Sequence, residues 1–437
     1  MKKLLLILLA CNCNFINAQN STKIEVSSLV QNRMEFALQK ASSLPIPNWC
    51  NTEELKQERK IVIEKCIKTL YHNYTPKNGA ILHEGVFPSA GHYDGLWAWD
   101  SWKHAYSLAC LDKELAENSV LAMYDYQNEA GMVADCIRNG RGHINWRNTK
   151  SPLSTWAVFE IFKATNDTAF LREMYPKMLK YHYWWYENRD HDKNGICEYG
   201  STDGSIEAAR WECWDNAIRF DSVKMVKNRD NAYSMNVESV DLNAYLFLEK
   251  ELLIKIAQLL KDKNRIERLT TEKTKLGIVM NKLFYNKQDG FYYDVRLSDK
   301  SFILSKEASG WLPLFAGVST KKQAVRVREM MMNENIFNTF LPLPTVSKDN
   351  PKYNAAGYWR GPLWLDQFYF GYMGLKKYGY DEDADNLLIK LLHNSQYMTS
   401  VSEGSLREYY NSKTGEGLGA ENFGWTAAHL LMMMLGK

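Results

Sequence analysis

Arg210-Trp211-Glu212-Cys213-Trp214-Asp215-Asn216-Ala217-Ile218-Arg219-Phe220-Asp221 holds two tryptophans, two arginines and three carboxylates in twelve residues. A core seldom admits so many charges, and a free surface seldom displays tryptophan. A water-restricted pocket lined by aromatic rings and holding a carboxyl group reconciles the two facts. Asp215, between Trp214 and Asn216, is the candidate proton donor of such a pocket. The competing reading is a buried Asp that pairs with Arg219 and caps a helix.

The stretch is a loop between helical runs, and loops of its kind recur. Apolar residues at helical spacing predict helices over 28–42, 53–72, 101–109, 113–127, 153–164, 168–188, 239–262, 265–284, 320–332, 363–378, 381–397 and 423–435. Asn166-Asp167 and Gly379-Tyr380-Asp381 mark boundaries. Strand signals are few; Gly290–Asp294 reads as half of a small hairpin. Short turns alternate with long glycine- and aromatic-rich loops at 79–100, 128–152, 190–220, 341–362 and 399–422. Antiparallel helix pairs with elaborate loops repeatedly on one side predict an all-α toroid of roughly a dozen helices. No linker or low-complexity segment divides the run, so residues 19–437 read as a single domain.

Lys+Arg 54 against Asp+Glu 51 gives a net charge of +3, without the concentrated basic face that nucleic acid requires. The 14 Trp and 25 Tyr exceed what a core needs and suit a surface that recognises sugar rings. Met1-Lys2-Lys3 followed by Leu4 to Leu9 reads as an export signal over residues 1–18, with periplasmic or cell-surface localisation as the expectation. Lipidation at Cys11 is the alternative to simple cleavage after Ala18. No later stretch is long and apolar enough to span a bilayer. The six remaining cysteines have no metal spacing and read as buried thiols or a disulfide.

Tyr93, Trp97, Trp99 and Asp100 gather where the first long loop enters a helix. Rings there can stack on a sugar while the Asp100 carboxylate accepts hydroxyls; the alternative for Asp100 is an N-cap. Gln127 is a further hydroxyl partner. Tyr358, Trp359 and Arg360 sit in a loop stiffened by Gly357, Gly361 and Pro362, and Trp214 and Arg219 complete the candidate sugar contacts. Asp190, Asp192, Asn194 and Glu198, with Gly195 at the turn, resemble the start of a calcium loop. The glutamate comes too early for an EF-hand, and an ion-free Asx turn competes. No cofactor is expected for the chemistry itself. Glu408 is the natural partner for Asp215, since glycoside hydrolysis needs an acid and a carboxylate that attacks or activates water. A salt bridge to Arg407 or Arg360 is its alternative.

These motifs, in this order, resemble glycoside hydrolase family 63, which includes processing α-glucosidases and small bacterial mannosylglycerate or glucosylglycerate hydrolases. The trehalases of family 37 are more distant relatives. The resemblance runs from Trp97-Ala98-Trp99-Asp100-Ser101 to Phe423-Gly424-Trp425-Thr426. It implies an (α/α)6 barrel and inversion of the anomeric centre, with Asp215 as general acid and Glu408 as general base. It also places Tyr93, Trp97, Trp99, Asp100, Gln127, Tyr358 and Trp359 at sugar-binding positions, and gives the calcium-like loop a counterpart in some bacterial members. Glu-Cys before Trp214 and a missing glycine-rich lid make trehalase the weaker reading.

The expectation is an exported, inverting α-glycosidase that removes terminal glucose or mannose from a small glycoside. Inversion requires carboxyls about 6.5–9.5 Å apart. A polysaccharide lyase would need a Tyr/His or Arg/Asn centre instead. A non-catalytic sugar binder would typically lose one carboxylate, and a purely structural helical repeat would not need the aromatic loops.

Overall fold

The computed structural model describes residues 27–138, 143–401 and 403–437. The expected leader and Cys11 lie outside the described residues. The chain folds as an (α/α)6 barrel. An N-terminal helix, α1 (27–43), is tied on by Arg33, which pairs with Glu84 at 2.9 Å and Asp112 at 2.8 Å. The helices that follow are α2 (Glu53–His72), α3 (Ala98–Leu108), α4 (Lys113–Tyr124), α5 (Ser154–Thr165), α6 (Thr168–Asn188) and α7 (Ile206–Glu212). Then come α8 (Val240–Leu260), α9 (Lys263–Leu283), α10 (Leu312–Ala316), α11 (Lys321–Met332), α12 (Leu365–Lys377), α13 (Asp381–Asn394) and α14 (Gly424–Met434).

Packing closes a ring in the order α3, α5, α8, α10, α12, α14 and back to α3. Outside it, α4 lies on α3, α6 on α5, α9 on α8, α13 on α12 and α2 on α14, while α11 follows α10. Burial follows these positions. Every residue of α3 and α14 is buried, whereas α9 buries only Leu269, Leu276 and Met280 along one stripe. Side-chain caps fix several helix starts, with Thr52, Asp112, Asp167 and Asp262 each accepting an N–H of the first turn.

Short strands trim the loops. They are β1 (Tyr74–Thr75), β2 (Gly85–Val86), β3 (Gly95–Trp97), β4 (Cys136–Arg138), β5 (His143–Asn145), β6 (Gly200–Ser201), β7 (Met225–Arg229) and β8 (Ala232–Met235). The others are β9 (Val237–Glu238), β10 (Tyr285–Asn286), β11 (Phe291–Tyr292), β12 (Val295–Arg296), β13 (Tyr409–Tyr410) and β14 (Gly417–Leu418). The largest sheets are the antiparallel β3-β4-β5 and β6-β8-β7. β11 pairs with β10, as the hairpin reading of 290–294 expected.

The twelve predicted helices all form, to within a few residues at their ends. The ring nevertheless differs from that dozen: α1 precedes it, and the unpredicted α10 takes a place in it. Five residues are too few to display a period, although all of α10 is buried. α3 begins three residues earlier than expected, so Trp99 and Asp100 belong to its first turn. Trp97, not Asp100, occupies the N-cap position.

The described residues include no helix long and apolar enough to cross a membrane. Cys50, Cys66, Cys110, Cys136, Cys197 and Cys213 are free thiols.

Candidate active site

The segments leading into α3, α5, α8, α12 and α14 converge at one end of the inner ring and enclose a cavity of about 470 Å³. That is room for a small glycoside. Asp215 and Glu408 both line it, together with Tyr93, Trp97, Trp99, Asp100, Tyr358 and Trp359.

Asp215 follows α7, whose last residue, Glu212, is fully buried. Glu212 takes two hydrogen bonds from Arg189, at 2.9 and 3.0 Å, and further N–H groups from Thr149 and Gly200. The chain then turns through Asp215 at a φ of 23°, a conformation that a non-glycine residue adopts only when its surroundings fix it. Those surroundings are the 357–360 loop. The Asn216 side chain donates to the Gly357 carbonyl at 3.2 Å and accepts the Trp359 N–H at 3.0 Å. The Trp359 indole N–H donates to Asp215 Oδ2 at 3.1 Å. Burial pushes the Asp215 carboxyl up to about 6; Lys150 and the Trp359 hydrogen bond pull against that, while Asp135 and Glu408 add to it.

Glu408 precedes β13. Its Oε2 accepts the Ala420 N–H at 2.9 Å, and its Oε1 receives the phenol hydroxyls of Tyr93 and Tyr358, each at 3.4 Å. Burial holds it above the usual carboxylate range, against those donors. Gly419, at a φ of 72°, passes so near that a Cβ there would come within 2.4 Å of Oε2. The alternative salt bridges are absent: Arg407 pairs with Glu421 and Arg360 with Asp221, each at 2.7 Å.

The aromatic walls brace one another. Trp359 stacks on Trp364 at 4.1 Å, and Trp364 on Tyr409 at 5.0 Å. Trp425 meets the Trp99 ring edge-on at 5.1 Å. Asp100 is buried in the first turn of α3; burial pushes its carboxyl up to about 7, with Lys103 and Lys150 opposing.

Four expected sugar contacts are elsewhere. Gln127 donates to the carbonyls of Gly131 and Lys177, both at 2.9 Å, and so fastens a turn to α6. Trp214 is fully buried behind Trp359, stacked at 5.3 Å. Arg219 is buried over Trp214 and pairs with Asp241 at 2.8 Å and Asp294 at 3.1 Å. Arg360 holds Asp221 and the Asn216 carbonyl. Each supports the loops without lining the cavity.

Sequence reading missed one group of lining residues. Asp135, Arg138, His143, Arg147 and Lys150 come from the segment around β4 and β5 and line the cavity, as does Trp425 at the start of α14. No carboxylate pair or tryptophan cluster marks Asp135 to Lys150 in the sequence; they enter the site because the β3-β4-β5 sheet carries them there. Arg147 is committed to Asp203 at 2.6 Å and Glu207 at 3.1 Å, while the Arg138 guanidinium lies over the Trp97 ring at 5.3 Å.

In the calcium-like loop, one carboxylate oxygen from each of Asp190, Asp192 and Glu198 lies within 4.8 Å of the others. Asp190 accepts the backbone N–H groups of Asn194 and Gly195, both at 3.0 Å. Asn194 reaches Asp192 and Glu238 through its side-chain amide. Lys300 bridges Asp192 at 2.8 Å and Glu238 at 2.7 Å. Glu198 Oε1 is buried without a hydrogen-bond partner.

Comparison with known proteins adds to this geometry. The pattern of the mannosylglycerate hydrolase MGH1-like glycoside hydrolase domain matches residues 93–426. Mannosylglycerate hydrolase MGH1 of Selaginella moellendorffii is 24% identical over 476 residues, covering 93% of each chain. Mannosylglycerate hydrolase of Thermus thermophilus is 24% identical over 402 residues, covering 78% of this chain and 94% of its own. The crystal structure of a family 63 mannosylglycerate hydrolase from Thermus thermophilus in complex with glucose superposes with a TM-score of 0.70 at 22% identity. That match covers 85% of this chain and 99% of that one.

Proposed function

The chain belongs to the mannosylglycerate hydrolase MGH1-like glycoside hydrolase family, and from that premise we propose that it hydrolyses a terminal α-linked glucose or mannose from a small glycoside with inversion. One observation carries the reading: Asp215 and Glu408 face a single aromatic cavity from different surroundings. Asp215, held above the usual range by burial, gives its proton to the glycosidic oxygen. Glu408, ionised, takes a proton from the water that attacks the anomeric carbon from the opposite face. Tyr93, Trp97 and Trp99 pack against the sugar, and Trp359, stacked between Trp214 and Trp364, backs that wall and helps keep bulk water out. Asp100 accepts its hydroxyls.

The aglycone is acidic, of the glycerate type. Support comes from Arg138, whose guanidinium borders the cavity with no carboxylate partner among the described residues. A screen of mannosylglycerate, glucosylglycerate and trehalose, read by released sugar, tests this. Faster turnover of trehalose than of either glycerate glycoside overturns the aglycone assignment. Proton NMR of the first-formed anomer tests the mechanism, and a retained configuration sinks it. Asp215→Asn and Glu408→Gln each lower kcat by about 10²-fold or more with the fold intact.

Two accessory features complete the proposal. Asp190, Asp192, Asn194 and Glu198 hold a Ca2+ ion that stiffens the loop after α6 and takes no part in the reaction. An all-oxygen donor set and the unpartnered, buried Glu198 Oε1 fit a hard cation. The basic, apolar N-terminus directs export, which cell fractionation reads directly.

A further inference from the structure

Lys150 is a buried lysine in the wall of the cavity that Asp215 and Glu408 also line. Its ammonium pairs with Asp135 at 3.1 Å, donates to the Trp211 carbonyl in α7, and lies 4.6 Å from the centre of the Trp99 ring. Thr149, next to it, donates its N–H to Glu212. The segment before α5 is thus fastened to the last turn of α7, which Asp215 follows by three residues. Asp135 is itself oriented by Asn145, which donates to Oδ2 at 2.9 Å and leaves Oδ1 for Lys150.

Three carboxyls, Asp100, Asp135 and Asp215, lie within electrostatic reach of this one ammonium. Arg138, the cavity guanidinium with no carboxylate partner among the described residues, lies over the Trp97 ring, and two other neighbouring cations are tied to carboxylates. Lys103 is tied to Asp366 at 2.9 Å, and Arg147 to Asp203 and Glu207. We propose that the Lys150–Asp135 ion pair is the positioning device of the site: it fixes the Asp215 loop against the cavity and decides how readily Asp215 yields its proton. This rests on Asp215 being the general acid.

When Asp215 gives up its proton, a carboxylate is created in a dry, aromatic setting, which is costly unless a cation is at hand. Lys150 supplies that cation at no reorganisation, because Asp135 and the Trp211 carbonyl already hold it in place. Asp135 acts oppositely on Asp215, as a like charge. The other groups facing Asp215 are Glu408 across the cavity, the Tyr93 and Tyr358 phenols and the Trp359 indole N–H. Burial raises Asp215, and the ammonium and the indole are what restrain the rise. The two members of one ion pair therefore push the acid in opposite directions.

The test uses that opposition of sign. The pH dependence of kcat/KM is measured for the wild type, Lys150→Met, Lys150→Arg, Asp135→Asn and Asp215→Asn. Lys150→Met is expected to move the alkaline limb upward by about one pH unit, as for loss of a nearby opposite charge, with kcat about tenfold lower. Asp135→Asn moves the same limb downward, and Lys150→Arg restores it. Limbs that stay in place, or move together, overturn the inference; a merely structural loss would lower kcat in both without separating them. Should Lys150→Met fail to fold, the Asp135→Asn and Lys150→Arg profiles still carry the sign. An inactive Asp215→Asn with unmoved limbs defeats this inference alone. An active Asp215→Asn defeats the assignment of the acid, and the inference with it.

Discussion

Trp359 donates its indole N–H to Oδ2 of Asp215 at 3.1 Å while its ring lies parallel to Trp364, 4.1 Å between centroids. A wall of the cavity is therefore also an electrostatic partner of the candidate acid. The hydrogen bond favours the carboxylate, so it keeps Asp215 a stronger acid than burial alone would.

Trp359→Phe separates the two roles. Stacking on Trp364 largely survives, but the donor is lost. The alkaline limb of kcat/KM should rise by up to about one pH unit, and kcat should fall by up to about tenfold. An unshifted limb would mean that the bond has no part in setting the acid.

The wild-type profile follows from the same site. A general acid works protonated, so activity is present below its pKa and lost as pH rises through it. With Asp215 pushed up to about 6, kcat/KM should decline tenfold per pH unit above about 6. Glu408 works ionised, and burial raises it as well, so the acidic limb moves upward and the optimum is narrow. Titration of steady-state rates in constant-ionic-strength buffers checks both limbs. A flat rate from about pH 6 to 8 would remove Asp215 from the acid role.

Much of this site was legible because its residues advertise themselves. Trp97, Trp99 and Asp100 form one cluster, Tyr358 and Trp359 another, and Glu408 sits beside tyrosines. What failed was the step from an unusual residue in a loop to a residue that touches ligand. Arg219 and Trp214 are unusual because they build a buried layer under the site, and local sequence does not distinguish a layer from a wall. Lys150 and Asp135 failed in the other direction. Neither is unusual locally, and only the register of β3, β4 and β5 brings them to the cavity. The ring itself was legible from periodicity except at α10, where five residues cannot show a period.

Arg219 supplies a stability test of that distinction. Its guanidinium is enclosed by Asp241, Asp294 and Glu307, and removing it leaves their charge buried and unpaired. Arg219→Met should cost about 3–5 kcal/mol in denaturant unfolding. KM of the protein that remains folded should be close to wild type. A raised KM with unchanged stability would return Arg219 to the substrate.

Gln127 makes the milder version of the same point. Its amide closes the turn at Gly131 onto α6 through two hydrogen bonds of 2.9 Å. Gln127→Ala should lose about 0.5–1.5 kcal/mol, the net worth of such part-buried hydrogen bonds, and leave KM alone. Parallel measurements of thermal unfolding and KM decide it.

Lys300 offers the sharpest test of the cation loop. Its ammonium pairs with Glu238 and with Asp192, and at Asp192 it takes an oxygen that a Ca2+ ion would otherwise use. The side chain is about one-third exposed (35%), so it can swing away when an ion enters. In the wild type, Ca2+ should raise the unfolding temperature and a chelator should reverse the rise, because binding to the folded state alone adds about 2.7 kcal/mol at a hundredfold excess over Kd. In Lys300→Met the ion-free protein should be less stable, since the carboxylates have lost their counter-charge, and the response to Ca2+ should be larger. Calorimetric unfolding of both proteins, with Ca2+ and with chelator, reads all four states. Equal unfolding temperatures with and without Ca2+ in both proteins would show that Lys300 and the backbone amides, rather than a metal, hold this loop.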